Sequence, residues 1–304
     1  MRVNELELLS AAGVEPCFLM DTGGETGRIP FSEAALALRP GMNLLDNGYF
    51  ADPVNQRGMT EYVNPGYTID RWAINSSTSK IKLNILNGYI KLTNTDNSIA
   101  AVIRQYFENL PPNTYTISVI HDNSLESGTI QWNGTTSVSI RMSFGNASIS
   151  VLNGKICLSL FLDASKTIKI YAAKLELGTQ QTLAHKEGDT WVLNDPPPNK
   201  ALELLKCRRY FVPGSSEQLL GAKAVGSMLI VYVPCALRAN PTVIPHKNGE
   251  LQVFMADGWK TCKYYGINLL PTQCGIRYNP PDGVSLQEGT VYLTRYIPSL
   301  SCDL

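Results

Sequence analysis

The chain has 304 residues, 17% of them charged, and its 26 basic and 26 acidic side chains give a formal net charge of zero. Nucleic-acid-binding proteins normally carry a clear basic excess, so the balanced charge argues against one. A chain of this length can bury more than one core, which favours two domains and an appendage.

The first 40 residues are expected to form a small unit of their own. Residues 17–22 and 28–31 are predicted as two short strands around a glycine-rich turn, and Ser32 is placed to cap a helix over 33–38. A unit of this size cannot bury much apolar surface alone, so we expect it to dock on a partner or on copies of itself. The run that begins the chain is short and contains acids, unlike the apolar part of a secretion signal, so we expect assembly in a cytoplasm.

Residues 41–179 alternate between apolar and polar side chains with the period of two that is typical of half-buried strands. The alternation is clearest over 114–119 and 137–144, and Asn-Gly pairs beginning at 87, 133 and 153 suit tight hairpins. Several such strands separated by regular turns predict an antiparallel β-sandwich in the form of a jelly roll.

Residues 180–210 are expected to be a linker that contains one helix. Three consecutive prolines at 196–198 cannot enter a helix interior or a central strand, because each lacks a backbone donor and has a fixed φ. The helix that follows carries an apolar arc, and continuing it past Lys206 adds two arginines to that arc. Either the helix ends near Lys206, or the arginines meet partner groups on a neighbouring subunit. The predicted subunit-interface residues are Leu202, Leu205, Arg208 and Arg209.

Residues 211–304 are β-rich again, and prolines interrupt them at intervals. The run 228–233 is apolar on both faces, which predicts a central strand or a strand buried between subunits. We therefore predict a second β-sandwich, a C-terminal head. Its loops are rich in Tyr, Asn and Pro, and loops on a rigid β scaffold are where binding usually resides.

The chain carries no pattern that predicts a catalytic or metal-binding site. Its seven cysteines are scattered, without the close pairs of zinc and redox sites, and we expect reduced thiols. The three histidines are far apart, and nucleophile-elbow, zinc-protease, P-loop and dinucleotide motifs are absent. No stretch reaches the roughly 20 apolar residues of a membrane-spanning helix. We predict no catalytic residues, no metal, no cofactor and no membrane insertion.

Aromatic side chains near turns are candidates for stacking on a sugar ring. Trp72, at the start of a strand, is expected in the core, whereas Trp132 beside an Asn-Gly turn is expected to be more exposed. The alternative for Trp132 is hydrophobic anchoring of the hairpin. The head contributes aromatics from loop-like surroundings, where recognition surfaces are often anchored. The predicted ligand-binding residues are Trp132, Tyr89, Trp259, Tyr264, Tyr265 and Tyr278.

Three segments together resemble a known class of protein. They are the region 43–72 with Asn43-Leu-Leu-Asp-Asn-Gly-Tyr-Phe50 and Tyr67-Thr-Ile-Asp-Arg-Trp72, the strand Tyr171-Ala-Ala-Lys-Leu-Glu-Leu-Gly178, and the region 196–211 ending in Cys207-Arg-Arg-Tyr-Phe211. In this order they are similar to tail-fibre or receptor-binding structural proteins of bacteriophages and prophages of gut bacteria. In those proteins a carbohydrate-binding-module-like jelly roll precedes a helix and a C-terminal head.

The resemblance implies a homotrimer in the virion, assembled in the host bacterial cytoplasm and attached to a phage tail or baseplate protein through its N-terminal segment. It implies adhesion to a bacterial surface polysaccharide without enzymatic activity. A polysaccharide depolymerase and a purely structural tail spacer are the alternatives. The predicted division is an N-terminal attachment segment at 1–40, a carbohydrate-binding-module-like jelly roll at 41–179, a proline-rich linker and helix at 180–210, and a β head at 211–304.

Overall fold

The computed structural model describes residues 17–21, 26–30, 41–74, 80–214, 221–234, 237, 239, 241–246, 249–255, 258–270 and 273–302. Over these residues the protein is mainly β, with antiparallel sheets and one helix, which confirms the predicted fold class. The helix predicted over 33–38 lies outside the described residues.

Two strands near the N-terminus pair as a hairpin. They are β1 (Cys17–Asp21) and β2 (Thr26–Pro30), which are antiparallel with Cys17 opposite Pro30. This pairing confirms the strand-turn-strand pattern predicted for the N-terminal unit.

The largest unit is a sandwich of two six-stranded sheets. Its strands are β3 (Glu61–Tyr62), β4 (Gly66–Tyr67), β5 (Trp72–Ile74), β6 (Ile81–Leu86), β7 (Tyr89–Asn94), β8 (Ala101–Phe107), β9 (Asn113–His121), β10 (Ser124–Trp132), β11 (Val138–Met142), β12 (Gly145–Leu152), β13 (Lys155–Leu162) and β14 (Thr167–Leu177). One sheet has the order β10-β9-β14-β7-β6-β3 and the other the order β11-β12-β13-β8-β5-β4. The two inner faces enclose one core, in which Phe50, Trp72 and Tyr115 are fully buried, as expected for Trp72.

Helix α1 (Lys200–Arg208) begins directly after the three prolines. The Asn199 side chain caps it by accepting hydrogen bonds from two N–H groups of the first turn, at 2.9 and 3.3 Å. The helix ends at Arg208, two residues beyond Lys206, and Arg209 is its C-cap.

The polar side of α1, rather than its apolar arc, packs on the sandwich. The Glu203 carboxylate accepts a hydrogen bond from the backbone N–H of Asn47 at 2.8 Å. Cys207, one turn later, is fully buried, and burial raises the pKa of its thiol. The apolar arc that carries Leu202 and Leu205 therefore faces away from the sandwich.

Tyr210 and Phe211, shortly after the helix, join the head to the sandwich. The Tyr210 ring lies against the Arg71 guanidinium, with 3.4 Å between Cζ and the ring centroid, and Arg57 lies over the Phe211 ring at 4.0 Å. Arg71 is 2% exposed, and its Nε donates to the Asp46 carboxylate at 3.0 Å. Burial raises the pKa of Tyr210 to about 12 despite the nearby Arg71 cation. The aromatic pair is thus held between two arginines of the sandwich.

The head consists of a three-stranded sheet and a seven-stranded sheet around a shared core. The remaining strands are β15 (Ala184–Glu187), β16 (Thr190–Leu193), β17 (Phe211–Val212), β18 (Gly221–Val225), β19 (Met228–Pro234), β20 (Thr242–Ile244), β21 (Gln252–Met255), β22 (Gly258–Thr261), β23 (Lys263–Leu270), β24 (Gln273–Asn279), β25 (Val291–Arg295) and β26 (Ser299–Ser301). The sheet orders are β17-β26-β20 and β22-β21-β25-β18-β19-β24-β23, whereas β15 and β16 form a separate hairpin. Strand β19 lies between β18 and β24, which confirms the predicted central position of the run 228–233.

The cysteines whose side chains are described are reduced thiols, as predicted. All of them are buried, and burial raises the pKa of Cys262 to about 12. They therefore act as small apolar side chains in the two cores. These residues are Cys157, Cys207, Cys262, Cys274 and Cys302.

Candidate functional site

A cleft of about 390 Å³ opens between the hairpin β15–β16 and the outer face of the sheet that contains β9 and β14. Three aromatic side chains line this cleft, namely Tyr49, Tyr171 and Trp191, together with the polar side chains of Asn123 and Asp189. The three aromatic residues are part-buried, so ring surface remains accessible to a ligand. Small-molecule sites typically have this size and combine an apolar lining with a few polar groups that fix orientation.

A β-bulge in β14 gives the cleft its floor. The pairing register between β14 and β9 shifts between Ile170 and Ala172, which inserts one extra residue. Ile170 is fully buried in the core, whereas Tyr171 and Ala172 both line the cleft. Adjacent residues of an unbroken strand lie on opposite faces, so the bulge is what brings these two to the same side.

Tyr49 reaches the cleft from a segment that runs alongside β14. The Ala51 N–H donates to the Tyr171 carbonyl at 2.9 Å, and the Ala173 N–H donates to the Gly48 carbonyl at 2.8 Å. A Cβ atom on Gly48 would lie 2.6 Å from the Ala173 carbonyl oxygen, so this close approach requires glycine. The backbone pairing therefore fixes the position of Tyr49 beside Tyr171.

A buried ion network holds the hairpin above this floor. The Lys174 and Glu176 side chains are 3% and 1% exposed, and Lys174 Nζ lies 3.6 Å from a Glu176 oxygen. Thr182, just before the hairpin, accepts a hydrogen bond from Lys174 at 2.6 Å and donates its hydroxyl to Glu176 at 2.5 Å. Asp195, just after the hairpin, accepts from Lys174 at 3.3 Å. Both ends of the hairpin are thus tied to one buried lysine.

Tyr89 extends the aromatic surface beyond the cleft. Its ring centroid lies 5.7 Å from that of Tyr171, and Lys169 Nζ lies 5.3 Å from the Tyr89 ring centroid. Among the described residues that line the cleft itself, Asp189 is the one with a charged side chain. A ligand in the cleft therefore meets mainly ring faces and uncharged hydrogen-bonding groups.

The prediction that Trp132 is exposed is wrong. Its side chain is 3% exposed and belongs to the sandwich core, where its indole N–H donates to the Leu110 carbonyl at 3.0 Å. Strand β10 continues as far as Trp132, opposite Asn113, before the turn begins. The alternation of the strand therefore points both Ile130 and Trp132 inward, and the indole has no ring face at the surface.

The four head residues predicted to bind ligand do not form one site. Tyr278 is 3% exposed and burial raises its pKa, so it is a core residue of the head. Tyr264 packs edge-on against Tyr278 with centroids 6.1 Å apart, and the two line a pocket of about 90 Å³. Tyr265 is 60% exposed, and Trp259 is part-buried beneath the Arg295 guanidinium at 4.3 Å. Neither Tyr265 nor Trp259 lines that pocket.

The predicted interface residues lie on the solvent-facing side of α1. Leu202 and Leu205 are each 59% exposed, and Arg208 and Arg209 are exposed as well. Arg209 Nη2 lies 3.6 Å from a Glu108 carboxylate oxygen of the same chain. The apolar arc is therefore accessible to a second polypeptide, and its burial between subunits stays a prediction.

Sequence reasoning missed three residues of the cleft, Tyr49, Tyr171 and Trp191. Tyr49 and Tyr171 lie within segments that carry the family resemblance, so their position was a usable signal. Trp191 lies a few residues before the prolines, in a stretch that we assigned to a linker. Trp191 lines the cleft because the hairpin β15–β16 packs on the sandwich through contacts between residues far apart in the sequence.

His121 takes part in a polar cluster at one end of the sandwich. Its Nε2 lies 2.9 Å from the Glu126 carboxylate, which also accepts a hydrogen bond from the Ser143 backbone N–H at 2.7 Å. Burial raises the pKa of Glu126, but the hydrogen bonds from Ser143 and His121 outweigh this effect and lower it. The Ser143 hydroxyl donates to the carboxylate rather than to the imidazole, so the cluster does not activate a nucleophile.

Within the described residues, no group of three or more His, Cys, Asp or Glu side chains is placed to hold a metal ion. No helix in that part of the chain is long and apolar enough to cross a bilayer. Comparison of the chain with protein-family models, curated proteins and solved structures finds no match. The function is therefore inferred from the cleft and from the exposed surfaces of the protein.

We predict that Lys174→Met loosens the hairpin over the cleft. The substitution leaves the Glu176 carboxylate buried without its cation, which costs about 3 kcal/mol or more. In hydrogen-exchange mass spectrometry, the hairpin amides over 184–193 should exchange at least ten-fold faster than in the unsubstituted protein. Lys169→Met, at an exposed position on the same strand, is the control and should leave the hairpin unchanged. Equal hairpin protection in both variants would show that the network does not position it.

Proposed function

We propose that the protein is a non-enzymatic receptor-binding tail-fibre protein of a phage or prophage that adheres to a bacterial surface glycan. The cleft is the observation that carries this proposal. A sugar ring has an apolar face of C–H groups and a rim of hydroxyls. The Tyr171 and Trp191 rings can pack on such a face, while Asn123 and Asp189 can bond the hydroxyls.

The composition of the cleft favours binding over hydrolysis. Glycoside hydrolases use two carboxyl groups that flank the scissile bond at a separation of about 5–10 Å. Asp189 is the one carboxylate among the described residues that line the cleft. An open aromatic cleft also has no purpose in a structural spacer. Both observations support a glycan-binding module over the depolymerase and spacer alternatives.

We also propose that the fibre is a homotrimer in which α1 contributes to the subunit contacts. Large apolar side chains such as Leu202 and Leu205 are unusual on the exposed side of a helix, and such surfaces often mark contact sites. Arg208 and Arg209 on the same side would need carboxylate partners, and Glu108 beside Arg209 is suited to that purpose. Three copies would present three clefts to one cell surface, which raises avidity without any further contact.

The proposed arrangement assigns a task to each part of the chain. The sandwich, as a carbohydrate-binding-module-like jelly roll, displays the glycan cleft. The segment that contains the hairpin β1–β2 attaches the fibre to a tail or baseplate protein. The protein is then located in the virion after assembly in the bacterial cytoplasm. The head follows the aromatic pair Tyr210 and Phe211, which joins it to the sandwich.

We predict that Trp191→Ala weakens glycan binding at least ten-fold. Loss of an aromatic side chain that anchors a ligand typically costs about 2 kcal/mol, which exceeds the 1.4 kcal/mol that corresponds to a factor of ten. The measurement is binding of the full chain to an array of bacterial surface polysaccharides. Trp259→Ala in the head is the matched control and should bind as the unsubstituted protein does. The cleft is not the glycan site if the unsubstituted protein binds nothing on the array, or if only Trp259→Ala loses binding.

We predict that the chain forms trimers in solution and that Leu202→Asp with Leu205→Asp yields monomers. Charged groups at these positions would be buried without partners in a subunit contact. Mass photometry or light scattering at micromolar concentration should give three times the mass of one chain for the unsubstituted protein. The control is Leu86→Asp, an exposed leucine on the sandwich, which should remain trimeric. A monomeric unsubstituted chain, or a trimeric double variant, would contradict the role of α1.

A further inference from the structure

The outer face of the seven-stranded head sheet forms two rows of side chains, which we call the head face. Strand pairing fixes which residues are neighbours: Phe254 opposes Trp259, Leu293 opposes Gly221, and Tyr232 opposes Gly275. The first row, in the order of the strands, is Trp259, Phe254, Leu293, Gly221, Tyr232 and Gly275. The second row is Val291, Lys223, Ile230 and Arg277. Five strand spacings give the first row a length of about 24 Å.

The head face is apolar and exposed. Val291, Leu293 and Phe254 are 64%, 49% and 48% exposed, and Tyr232 is 36% exposed. The alternate residues of the same strands, such as Val231, fill the core of the head. The sheet is therefore apolar on both sides. Its outer side is exposed along β21, β25, β18 and β19, whereas Gly275 on β24 is buried. Contiguous exposed apolar surface of this kind marks an interaction site.

Among the described residues of the head face, the charged side chains are all positive. Lys223 and Arg277 flank Ile230 in the second row, and none of the described residues in either row carries a carboxylate. Arg295 borders the first row, where its guanidinium lies 4.3 Å from the Trp259 ring centroid. None of the three cations forms an ion pair within the described part of the chain. The partner of this face must therefore be both apolar and anionic.

We propose that the head face binds the surface of an anionic lipid layer. Aliphatic side chains such as Val291 and Leu293 offer a saccharide no hydrogen bonds, but they can enter the boundary between headgroups and acyl chains. Trp259 and Tyr232 combine an apolar ring with a polar tip, which is the composition favoured at that boundary. The three cations then lie at the level of the lipid phosphates, where each contributes about a five-fold gain in binding.

A second copy of the same face is a poorer partner, because its cations would oppose those of the first. The proposed contact is peripheral, as the flat sheet presents single side chains to the lipid rather than a segment that crosses it. It does not involve the glycan cleft, which lies on the sandwich. The glycan-binding proposal and the lipid-binding proposal can therefore be tested independently.

The test is co-sedimentation of the full chain with unilamellar vesicles. Vesicles of equal parts phosphatidylglycerol and phosphatidylcholine are compared with vesicles of phosphatidylcholine alone. We expect at least ten-fold stronger binding to the anionic vesicles, and weaker binding as salt is raised. Lys223→Gln with Arg277→Gln should weaken binding by about 25-fold, the product of two five-fold effects. Leu293→Asp should weaken it at least ten-fold.

The control for Leu293→Asp is Val63→Asp, at a 50% exposed position on the sandwich, which should bind vesicles normally. Trp191→Ala should also bind vesicles normally, so that a failure of the glycan proposal leaves this result unaffected. Circular dichroism melting curves verify that every variant is folded. Absence of vesicle binding, equal binding to both kinds of vesicle, or unchanged binding by folded Leu293→Asp would overturn the proposal. A further result would also overturn it: the unsubstituted chain binds no vesicles, and Leu293→Asp has a lower oligomeric mass. The head face would then be a contact between subunits.

Discussion

The stacking of the Tyr210 ring on the Arg71 guanidinium fixes the relation between the sandwich and the head. Arg71 is almost fully buried, and a buried cation is stable only where partners compensate for the lost water. The Asp46 carboxylate supplies one partner and the Tyr210 ring supplies another. Arg71 also has a φ of 71°, a left-handed conformation that costs a non-glycine residue about 1 kcal/mol or more. The Tyr210 carbonyl in turn accepts the N–H of Cys302 at 2.6 Å, which connects this contact to the last strand of the head.

Residues from two distant parts of the chain, 43–72 and 196–211, converge on the same place. The Trp72 indole donates to the Asn47 carbonyl at 3.1 Å, and the Asn47 N–H donates to Glu203 of α1 at 2.8 Å. Gln56 donates to the Phe211 carbonyl at 3.1 Å. These residues come from stretches far apart in the chain. Together they form the joint, which is the contact region between the sandwich, α1 and the start of the head. These two parts of the chain therefore connect the two β units, and the candidate ligand-binding surfaces lie outside that joint.

Local periodicity was sufficient to predict the β class, the helix, the burial of Trp72 and the central strand of the head. The site could not be predicted in the same way, because it depends on departures from periodicity and on distant contacts. The inward position of Trp132 follows from the strand continuing up to the turn, whereas proximity to an Asn-Gly pair suggested exposure. The cleft floor needs the bulge at Tyr171, which breaks the alternation. The position of the hairpin β15–β16 over the cleft depends on the hydrogen bond from Lys174 to Asp195. No pattern of neighbouring residues in the sequence predicts this contact.

The central claim, that the Arg71–Tyr210 contact couples sandwich and head, is tested most directly by a double-mutant cycle. The free energies of unfolding of Arg71→Met, Tyr210→Leu and the double variant are measured by chemical denaturation. A coupling energy of about 1–2 kcal/mol is expected for a desolvated cation on an aromatic ring. Arg209 faces the same ring from 5.9 Å on the exposed side, and it shares the Glu108 carboxylate with the Tyr210 hydroxyl. Arg209→Met paired with Tyr210→Leu should therefore show weaker coupling than Arg71→Met does. Additive effects for Arg71 and Tyr210, within about 0.5 kcal/mol, would contradict the claim.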